Sequence, residues 1–501
     1  MKLTITSPSK ALVHASPQEL NQLKRVLTYT DGSQNHLISR HFQNFRWRKS
    51  NPDTWKTHLE NLKKDLKKSL VFEENGMPCI RPGSIPYLRG FDLEVENLVK
   101  YPKPKPMAWK APLPFTLHPE QTQSVEGFIR EKHANASLCT AFGKSAIILK
   151  TCQEMGLSAC IVVPGKGIFE ESVANFETHF GKRYVGTFGN GKKKLGKKFT
   201  ICIGDSLANV VKGSPEYEFF SNLDVLIVDE SHEFAAESLE SVCHGVLANI
   251  PYRFFLSATQ VRNDGGLILL QSIIGKTVCE LSMKEALEKK YVCDHDFCIV
   301  TLDSSNPGFK ADDPLAQKRV HFLNNKNIAS FSARLANAMA TNYGKQTLIL
   351  CEELNQLVML KALLKVPFAL AHSETKPARL ADLGLEKVNV NESIEKFNKN
   401  EVKVLVTTSC CHTGRNMYPG HNTINWVGGS SEIKTKQASV GRSVRHGRSN
   451  PWASKCADKL KVTIYDFDIE NNATLKRHLN SRIRCYEESG TQIRYVKLKK
   501  S

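Results

Sequence analysis

The chain has 501 residues, with 69 Lys and Arg against 50 Asp and Glu, and its formal net charge is +19. The apolar fraction of 41% and the charged fraction of 24% exclude a disordered chain, a collagen and a simple coiled coil. We expect about three domains at roughly 100–200 residues each. Because no apolar run approaches the roughly 18 residues of a membrane-spanning helix and no signal-peptide pattern is present, we expect a cytoplasmic protein with no membrane partner.

The excess of positive charge indicates a polyanionic partner. The sequence shows no strong basic amphipathic helix with an insertion face, so nucleic acid is favoured over an anionic membrane. The 14 cysteines are scattered, which is typical of a reducing compartment. One cluster with metal-like spacing, residues 293–298, has no second pair nearby, and we expect it to be structural.

A small basic module occupies residues 1–105. Its alternating prolines at 102–106 predict an extended linker or a surface strap. Residues 40–49 interleave cations with aromatic rings, which makes Arg46, Trp47 and Arg48 candidates for DNA contacts by phosphate binding and base stacking. A small hydrophobic core is an equally good interpretation of these aromatic residues.

A stripe of apolar residues at helical spacing follows, running from Trp55 to Leu70. Lys63 and Lys67 lie mostly off this stripe, and they are further candidates for DNA contacts. A solvated lysine face is the alternative interpretation.

Short β-branched segments then alternate with helical stretches in two series, which is typical of parallel α/β sheets. The predicted strands are 159–163, 200–203, 225–228 and 254–256 in the first series, and 347–350, 368–371, 402–406, 423–427 and 462–465 in the second. We therefore predict α/β domains at 106–275 and 331–470, a hinge at 276–330 and a basic tail at 471–501.

A phosphate-binding loop is predicted at Thr140-Ala-Phe-Gly-Lys-Ser145, the second half of G-x-x-x-x-G-K-[ST], although Leu138 stands at the first glycine position. Gly143 permits a tight turn, and amides at the start of the following helix face the phosphates. Lys144 reaches the β and γ oxygens, and Ser145 is a metal ligand for Mg²⁺. The predicted cofactors are therefore ATP and Mg²⁺, with Thr140 in the same loop.

The predicted strand 225–228 ends in Asp229-Glu-Ser-His232. A buried strand that delivers two adjacent carboxylates is the usual Walker B arrangement, in which Asp229 holds Mg²⁺ and Glu230 activates the attacking water. An ordinary acidic turn is the alternative, and the position of this segment after G-K-S disfavours it.

Two later segments add further candidate residues for nucleotide hydrolysis. Ser257-Ala-Thr259 ends a further strand, and residues 437–445 place Arg442 and Arg445 three apart, on one face if helical. Such guanidinium groups can reach a γ-phosphate from another domain as arginine fingers. A charged surface helix is the alternative interpretation of this segment.

The order G-K-S, D-E-x-H, S-A-T and Q-x-x-G-R-x-x-R resembles the superfamily 2 helicases and translocases over roughly residues 115–470. The resemblance implies two RecA-like parallel-sheet domains in tandem, preceded here by a small basic α+β domain. It also implies roles for individual residues. Gln121 would contact the adenine, His232 would lie at the nucleotide and Gln437 would take part in catalysis. Ser257, Thr259 and Gly414 would couple ATP hydrolysis to DNA unwinding, and Thr408 would contact DNA.

Some positions depart from the family pattern: Asn416 replaces an aspartate, Glu120 a tyrosine and Gly165 a threonine. Within the superfamily, the length, the basic N-terminal domain and Ile464-Tyr-Asp-Phe-Asp468 resemble the UvsW-type branch-migration helicases of tailed bacteriophages. This implies an ATP-dependent DNA helicase acting on forks and four-way junctions in recombination, repair and replication, with other replication or recombination proteins as potential partners. In a viral lineage the expected location is the host cytoplasm.

Three alternatives stay open. D-E-x-H boxes also serve RNA helicases, although no dedicated RNA-binding signature is present. Pro52-Asp53 followed by Asp65-Leu66-Lys67 faintly resembles a nuclease pattern, which would suit the motor of a restriction enzyme. A binding protein with a degenerate ATP site is the third.

Overall fold

The structure is a computed structural model that describes residues 1–30, 41, 45–234, 236–258, 267–309, 313–411, 417–430, 444–446 and 452–498. Two compact units divide the chain: residues 1–138 with 144–280, and residues 139–143 with 281–501. Among the described helices, none combines the length and the apolarity that crossing a membrane requires.

The N-terminal domain is α+β, as the sequence predicts. A five-stranded sheet has the order β5-β6-β2-β1-β7, and β3 pairs with β4 in a separate ribbon. The strands are β1 (Lys2–Ser7), β2 (Lys10–His14), β3 (Thr28–Thr30), β4 (Lys67–Ser69), β5 (Phe72–Glu74), β6 (Met77–Ile80) and β7 (Glu94–Asn97). The described helices are Pro17–Val26, Phe45–Ser50, Pro52–Asp65 and the 3₁₀ helix Pro82–Tyr87.

The predicted helical stripe ends earlier than the sequence suggests. The helix stops at Asp65, and Lys67–Ser69 pairs with Thr28–Thr30 because the backbone bonds across the ribbon replace the next helical turn. Trp55, at 5% exposure, and Leu66, at 3%, are buried as expected. The prediction of one continuous helix to Leu70 is therefore wrong, although its apolar face is correctly identified.

The N-terminal domain packs directly on the domain that follows it. Buried residues of both, from Leu3 to Ile274, form one continuous hydrophobic cluster. The 3₁₀ helix approaches the helix Leu267–Ile274 so closely that a Cβ on Gly83 would lie 2.3 Å from the Ser272 carbonyl oxygen. Tyr87 Oη donates to the Gly275 carbonyl at 2.8 Å. The two domains therefore share a core.

The proline-rich segment is an ordered strap rather than a loose linker. The Lys105 amide donates to the Met155 carbonyl at 2.9 Å, and the Trp109 ring stacks on Phe180 with centroids 5.0 Å apart. Since proline offers no amide donor, the strap bonds through its intervening residues. It lies at the amino edge of the sheet of the following domain, because Met155 ends the helix that leads into the strand Ala159–Val163.

The first α/β domain is built on an eight-stranded sheet of order β11-β10-β12-β9-β13-β14-β8-β15, in which β10, β12, β9, β13, β14 and β8 are parallel. The strands are β8 (His133–Leu138), β9 (Ala159–Val163), β10 (Val185–Gly189), β11 (Lys192–Lys194), β12 (Phe199–Ile203), β13 (Val225–Val228), β14 (Tyr252–Ser257) and β15 (Lys276–Leu281). The described α-helices are Pro119–Glu131, Lys144–Met155, Lys166–His179, Gly204–Ala208, Pro215–Ser221, Ala236–His244 and Leu267–Ile274.

The second α/β domain has a seven-stranded parallel sheet of order β18-β19-β17-β20-β21-β16-β22. The strands are β16 (Asp294–Leu302), β17 (Gln346–Cys351), β18 (Phe368–Ala371), β19 (Val404–Thr407), β20 (Gly420–Trp426), β21 (Lys461–Ile469) and β22 (Ile493–Lys497). The described α-helices are Met283–Glu288, Pro314–Gln317, Lys326–Tyr343, Leu354–Leu363, Pro377–Asp382, Val390–Asn398 and Ala473–Glu487.

All nine predicted strands of the two series exist, with ends that shift by at most a few residues. They are recognisable because strands buried on both faces of a parallel sheet read as continuous apolar runs, as in Val225–Val228, where every residue is buried. The segment proposed as a hinge holds β15, which belongs to the first sheet, and β16, which belongs to the second.

The segment after residue 470 is part of the second domain. Its helix Ala473–Glu487 buries Leu475 and Tyr486, and β22 pairs with β16. Arg482, which looks like a tail cation in the sequence, is 2% exposed and donates to both carboxylate oxygens of Asp466, at 2.7 and 2.9 Å. A buried arginine of this kind is tolerated because its charge is paired and its hydrogen bonds are made.

Candidate functional site

The predicted phosphate-binding loop leads from β8 into the helix Lys144–Met155. Within the loop, Ala141 and Gly143 have φ of 70° and 82°, and such left-handed backbone is ordinary for glycine but uncommon for alanine. Lys144 opens the helix and is 7% exposed, while Ser145 is exposed and Thr140 is half-buried. The amides of this first turn have no intrahelical acceptors, so the loop ends in anion-binding geometry.

The two acidic residues follow β13 at the carboxyl edge of the same sheet. Asp229 is 6% exposed, and its Oδ1 accepts from the Glu230 amide at 2.9 Å. Glu230 has φ of 49°, a left-handed conformation that turns the chain sharply after the strand. Its Oε1 lies 3.1 Å from Lys144 Nζ. The structure thus brings Lys144, Asp229 and Glu230 together in one site.

The electrostatics of this site suit a divalent cation. Burial raises the pKa of the Asp229 carboxyl, and the neighbouring Glu230 carboxylate raises it further. A cation bound there would relieve both effects, and carboxylate and hydroxyl oxygens are the protein ligands that Mg²⁺ prefers. Asp229 and Ser145 are the residues that would hold it, and the ion would neutralise phosphate charge.

A buried hydrogen bond connects the D-E-x-H segment to the next strand. Ser257 Oγ and His232 Nδ1 are 2.9 Å apart, and the two residues are 2% and 4% exposed. Ser257 ends β14, the strand beside β13, so neighbouring strand ends bring the pair together. Thr259, the other predicted coupling residue of this segment, lies outside the described residues.

Gln121 is 3% exposed near the start of the helix Pro119–Glu131. Its Oε1 accepts from the His118 amide at 2.8 Å, and this bond caps the helix. The side chain therefore also has a structural task that the resemblance does not indicate.

In the second domain, Thr408 follows β19 and is 6% exposed. It lines a cavity of about 640 Å³ at the carboxyl ends of β17, β18 and β19. Arg319 and Arg379 also line it, and each pairs with a glutamate of the same cavity, Glu353 at 2.7 Å and Glu374 at 3.0 Å. Sequence reasoning missed this cavity because its residues come from four separate segments.

The structure describes Arg445 but not its companions. Arg445 is half-buried, and the preceding Val444 carbonyl accepts from the Cys293 amide at 2.8 Å. Burial lowers the pKa of Lys459 to about 8; the nearby Cys293 opposes this shift, and the charge of Arg445 adds to it. Gln437, Arg442 and Gly414 lie outside the described residues.

The candidate DNA-binding residues of the N-terminal domain include a ring packed in an aromatic cluster and several exposed cations. Trp47 is half-buried, and its ring lies 5.3 Å from His58. Arg48 is exposed and lies over the Trp55 ring at 5.1 Å. Lys63 and Lys67 are exposed, on the helix and on β4 respectively. Arg46 belongs to the helix Phe45–Ser50.

The cysteine-containing segment 293–298 has structural partners. Asp296 pairs with Lys461 at 3.3 Å and with Arg494 at 2.9 Å, and the Cys293 thiol lies 3.1 Å from the Leu460 carbonyl. Among the described residues, no group of three or more His, Cys, Asp and Glu is placed to hold a metal ion.

Comparison with known proteins agrees with the motifs. Residues 114–262 match the family model described as "Type III restriction enzyme, res subunit". The DNA 3'-5' translocase XPB2 of Sulfurisphaera tokodaii is 27% identical over 237 residues, which are 47% of this chain and 51% of that protein. The chain therefore spans about half the length of this curated relative.

Two solved structures align with the chain. Mss116p bound to ssRNA and AMP-PNP aligns at a TM-score of 0.54 and 16% identity, over 77% of this chain and 75% of its own. The crystal structure of T4 UvsW aligns at a TM-score of 0.42 and 14% identity, over 99% of both chains. By its motif order, by the family model matched in its first α/β domain and by its tandem RecA-like fold, the chain resembles the superfamily 2 DNA helicases.

Proposed function

We propose that the chain is an ATP-dependent DNA helicase or translocase that acts on branched DNA, migrating branches and regressing forks in recombination, repair and replication. The observation that carries this proposal is the contact of Lys144 Nζ with Glu230 Oε1, at 3.1 Å, beside the buried Asp229. A lysine at the start of the helix after β8 and two carboxylates at the end of β13, two strands away in the same sheet, are groups that nucleotide hydrolysis needs.

Each of these residues has a distinct task in hydrolysis. Lys144 stabilises the charge of the β and γ phosphates, and Asp229 with Ser145 would hold Mg²⁺, which would neutralise phosphate charge. Glu230 accepts a hydrogen bond from the attacking water and aligns it with the γ-phosphorus. Arg442 and Arg445 supply positive charge as the bond between the γ-phosphorus and the oxygen of the leaving ADP breaks. The contact between His232 and Ser257 couples this chemistry to the end of β14.

Two observations support DNA as the substrate. The net charge of +19 favours a polyanion, and the matched relative is a DNA translocase. We also assign a DNA contact to Thr408, which follows β19 in the second domain. Because a motor that follows phosphates cannot by itself select a branch, we assign branch recognition to the N-terminal domain.

The restriction-motor alternative has the family model in its favour, since that model describes a restriction enzyme subunit. The nuclease pattern that the sequence suggested does not support it. Asp53 and Asp65 lie near the two ends of one helix, Pro52–Asp65, whereas the pattern needs its second acidic residue on a strand. We therefore retain the helicase proposal.

The proposal is tested by measuring ATP hydrolysis without nucleic acid and then with each of four nucleic acids. These are linear duplex DNA, forked DNA, a four-way junction and single-stranded RNA. We expect the largest stimulation by the branched DNA molecules and ATP-dependent conversion of the junction into two duplexes. Equal or larger stimulation by RNA would overturn the choice of substrate.

We further propose the host cytoplasm as the location and other replication or recombination proteins as partners.

A further inference from the structure

The first RecA-like domain carries a basic hairpin apart from the candidate site. We call residues 185–194 the basic hairpin: β10, a turn, and the antiparallel edge strand β11. β11 consists of three exposed lysines, Lys192–Lys194. In the turn, Asn190 and Gly191 have φ of 52° and 71°, the positive values that favour a tight two-residue hairpin turn.

The three lysines of β11 divide between the two faces of the strand. Successive side chains of a strand point in opposite directions, so Lys192 and Lys194 share one face and Lys193 has the other. Lys193 pairs with Glu216. Within the described part of the chain, no acidic side chain forms an ion pair with Lys192 or Lys194. Two exposed cations about 7 Å apart therefore stand on one face of the hairpin.

The hairpin is held in a fixed position. Gly189, the last residue of β10, has φ of 134°, and a Cβ there would lie 3.0 Å from Ile203 Cβ and 3.1 Å from Ser206 Oγ. The base of the turn thus rests on the end of β12 and on the helix Gly204–Ala208 that follows it. Backbone pairing of Phe188 with Lys193 fixes the register. A fixed hairpin loses little conformational entropy when a ligand binds its lysines.

The basic hairpin lies on the same edge of the sheet as the candidate site. The strands β10, β12, β9 and β13 are parallel and adjacent, so their carboxyl ends lie on one edge of the sheet. Asp229 follows β13 on that edge, and the turn after Gly189 follows β10 on the same edge. At about 4.8 Å per strand, the hairpin lies three strands, or about 14 Å, from the acidic residues along the sheet.

We propose that the basic hairpin binds the phosphate backbone of DNA through Lys192 and Lys194, as a contact separate from those of the N-terminal domain. The proposal rests on the proposed function, since it places DNA along the edge that carries the hydrolysis site. Two free-standing amines on a rigid strand supply positive charge without a base-reading group. The contact therefore contributes affinity but no sequence preference.

The test compares two double variants of the full-length chain. Lys192→Ala with Lys194→Ala removes the proposed contact. Lys103→Ala with Lys105→Ala removes the same charge from exposed positions on the strap at the opposite edge of the sheet. Affinity for a fluorescent linear duplex and for a fluorescent single strand is measured in EDTA without nucleotide, over a series of KCl concentrations.

If both lysines contact phosphates, the slope of log affinity against log salt falls by about 1.8 on duplex or about 1.4 on single-stranded DNA in the hairpin variant. The strap variant keeps the parental slope. The probe that shows the change identifies which form of DNA the hairpin holds. Equal slopes and affinities in the two variants, on both probes, overturn the proposal.

Two further measurements show whether a change in DNA affinity comes from the lost contact or from misfolding or loss of ATP hydrolysis. Circular dichroism and DNA-independent ATP hydrolysis of the hairpin variant are expected to match the parent, because Lys192 and Lys194 contact neither the nucleotide site nor the core. If the parent binds DNA but fails to hydrolyse ATP, the proposed function is wrong while the hairpin result stands. If the parent hydrolyses ATP with DNA and the hairpin variant binds as tightly, only the hairpin proposal is wrong.

Discussion

Lys144 Nζ lies 3.1 Å from Glu230 Oε1, so the cation assigned to the phosphates and the carboxylate assigned to the attacking water contact each other directly. Their side chains are 7% and 16% exposed, so the pair is shielded from solvent. A γ-phosphate that contacts Lys144 would compete with Glu230 for the same ammonium group. Release of this ion pair would leave the Glu230 carboxylate available to a water molecule.

The first prediction concerns this pair. Glu230→Gln is expected to retain ATP binding and to stop turnover, because the carboxylate acts in the transition state. Lys144→Ala is expected to abolish hydrolysis, because it removes a phosphate-facing charge from a water-poor site. Nucleotide titration and steady-state hydrolysis measure the two effects. Lys150→Ala, which breaks the half-buried pair with Glu154 on the same helix, is the control. Parental turnover by the glutamine variant would refute the role of Glu230.

The second prediction concerns the arginines of residues 437–445. Arg442→Ala or Arg445→Ala is expected to lower kcat by roughly 10³-fold, with little change in nucleotide affinity, because an arginine finger stabilises charge mainly in the transition state. Measuring kcat and the nucleotide Kd separately tests this. A loss of affinity at unchanged kcat would instead assign the side chain to ground-state binding.

The third prediction concerns the N-terminal domain. Charge reversal at Lys63 and Lys67 is expected to reduce the ratio of branched to linear DNA affinity and to lower the salt slope by about 1.8, if each lysine contacts one duplex phosphate. Lys24→Glu with Arg25→Glu, exposed on another helix of the same domain, is the matched control. An affinity ratio that falls equally in both variants would show that general charge, and not these positions, sets the preference.

The fourth prediction concerns the shared core of the N-terminal and first RecA-like domains. Gly83→Ala is expected to destabilise the chain by about 1–3 kcal/mol, because its Cβ would lie 2.3 Å from the backbone oxygen of Ser272. Gly308→Ala, where a Cβ meets nothing within 4 Å, is the control. Urea denaturation of both variants measures the difference.

The same shared core makes deletion of residues 1–105 a poor test of DNA recognition, since it would expose apolar surface.

The fifth prediction concerns acid stability. Burial lowers the pKa of His133 and His295 to about 4, whereas histidine in an unfolded chain titrates near 6.5. The unfolded chain thus binds more protons between these two values, and the unfolding free energy falls as the pH falls through this window. Denaturation at a series of pH values is expected to show this decline. His295→Gln should flatten it, whereas substitution of the exposed His14 should leave it as steep as in the parent.

The sequence alone predicted nine strands of the two α/β sheets and the positions of the candidate acidic residues. Strands such as Val225–Val228 were predictable because a buried parallel strand is a short continuous run of apolar residues. The positions of Asp229 and Glu230 followed from the same fact, since polar residues directly after such a strand must lie at the carboxyl edge of the sheet. Local spacing and periodicity were sufficient for these features.

Tertiary structure decided what depends on distant partners. Arg482 resembles a surface cation, yet it is buried because Asp466, sixteen residues away, supplies its counter-charge. Lys67 leaves the predicted helix because Thr30 offers backbone hydrogen bonds from another segment. Within the Lys192–Lys194 run, only the fold distinguishes the lysine that pairs with Glu216 from the two that do not. Periodicity describes a residue's own element, whereas burial, pairing and charge compensation are properties of the residues that the folded chain brings beside it.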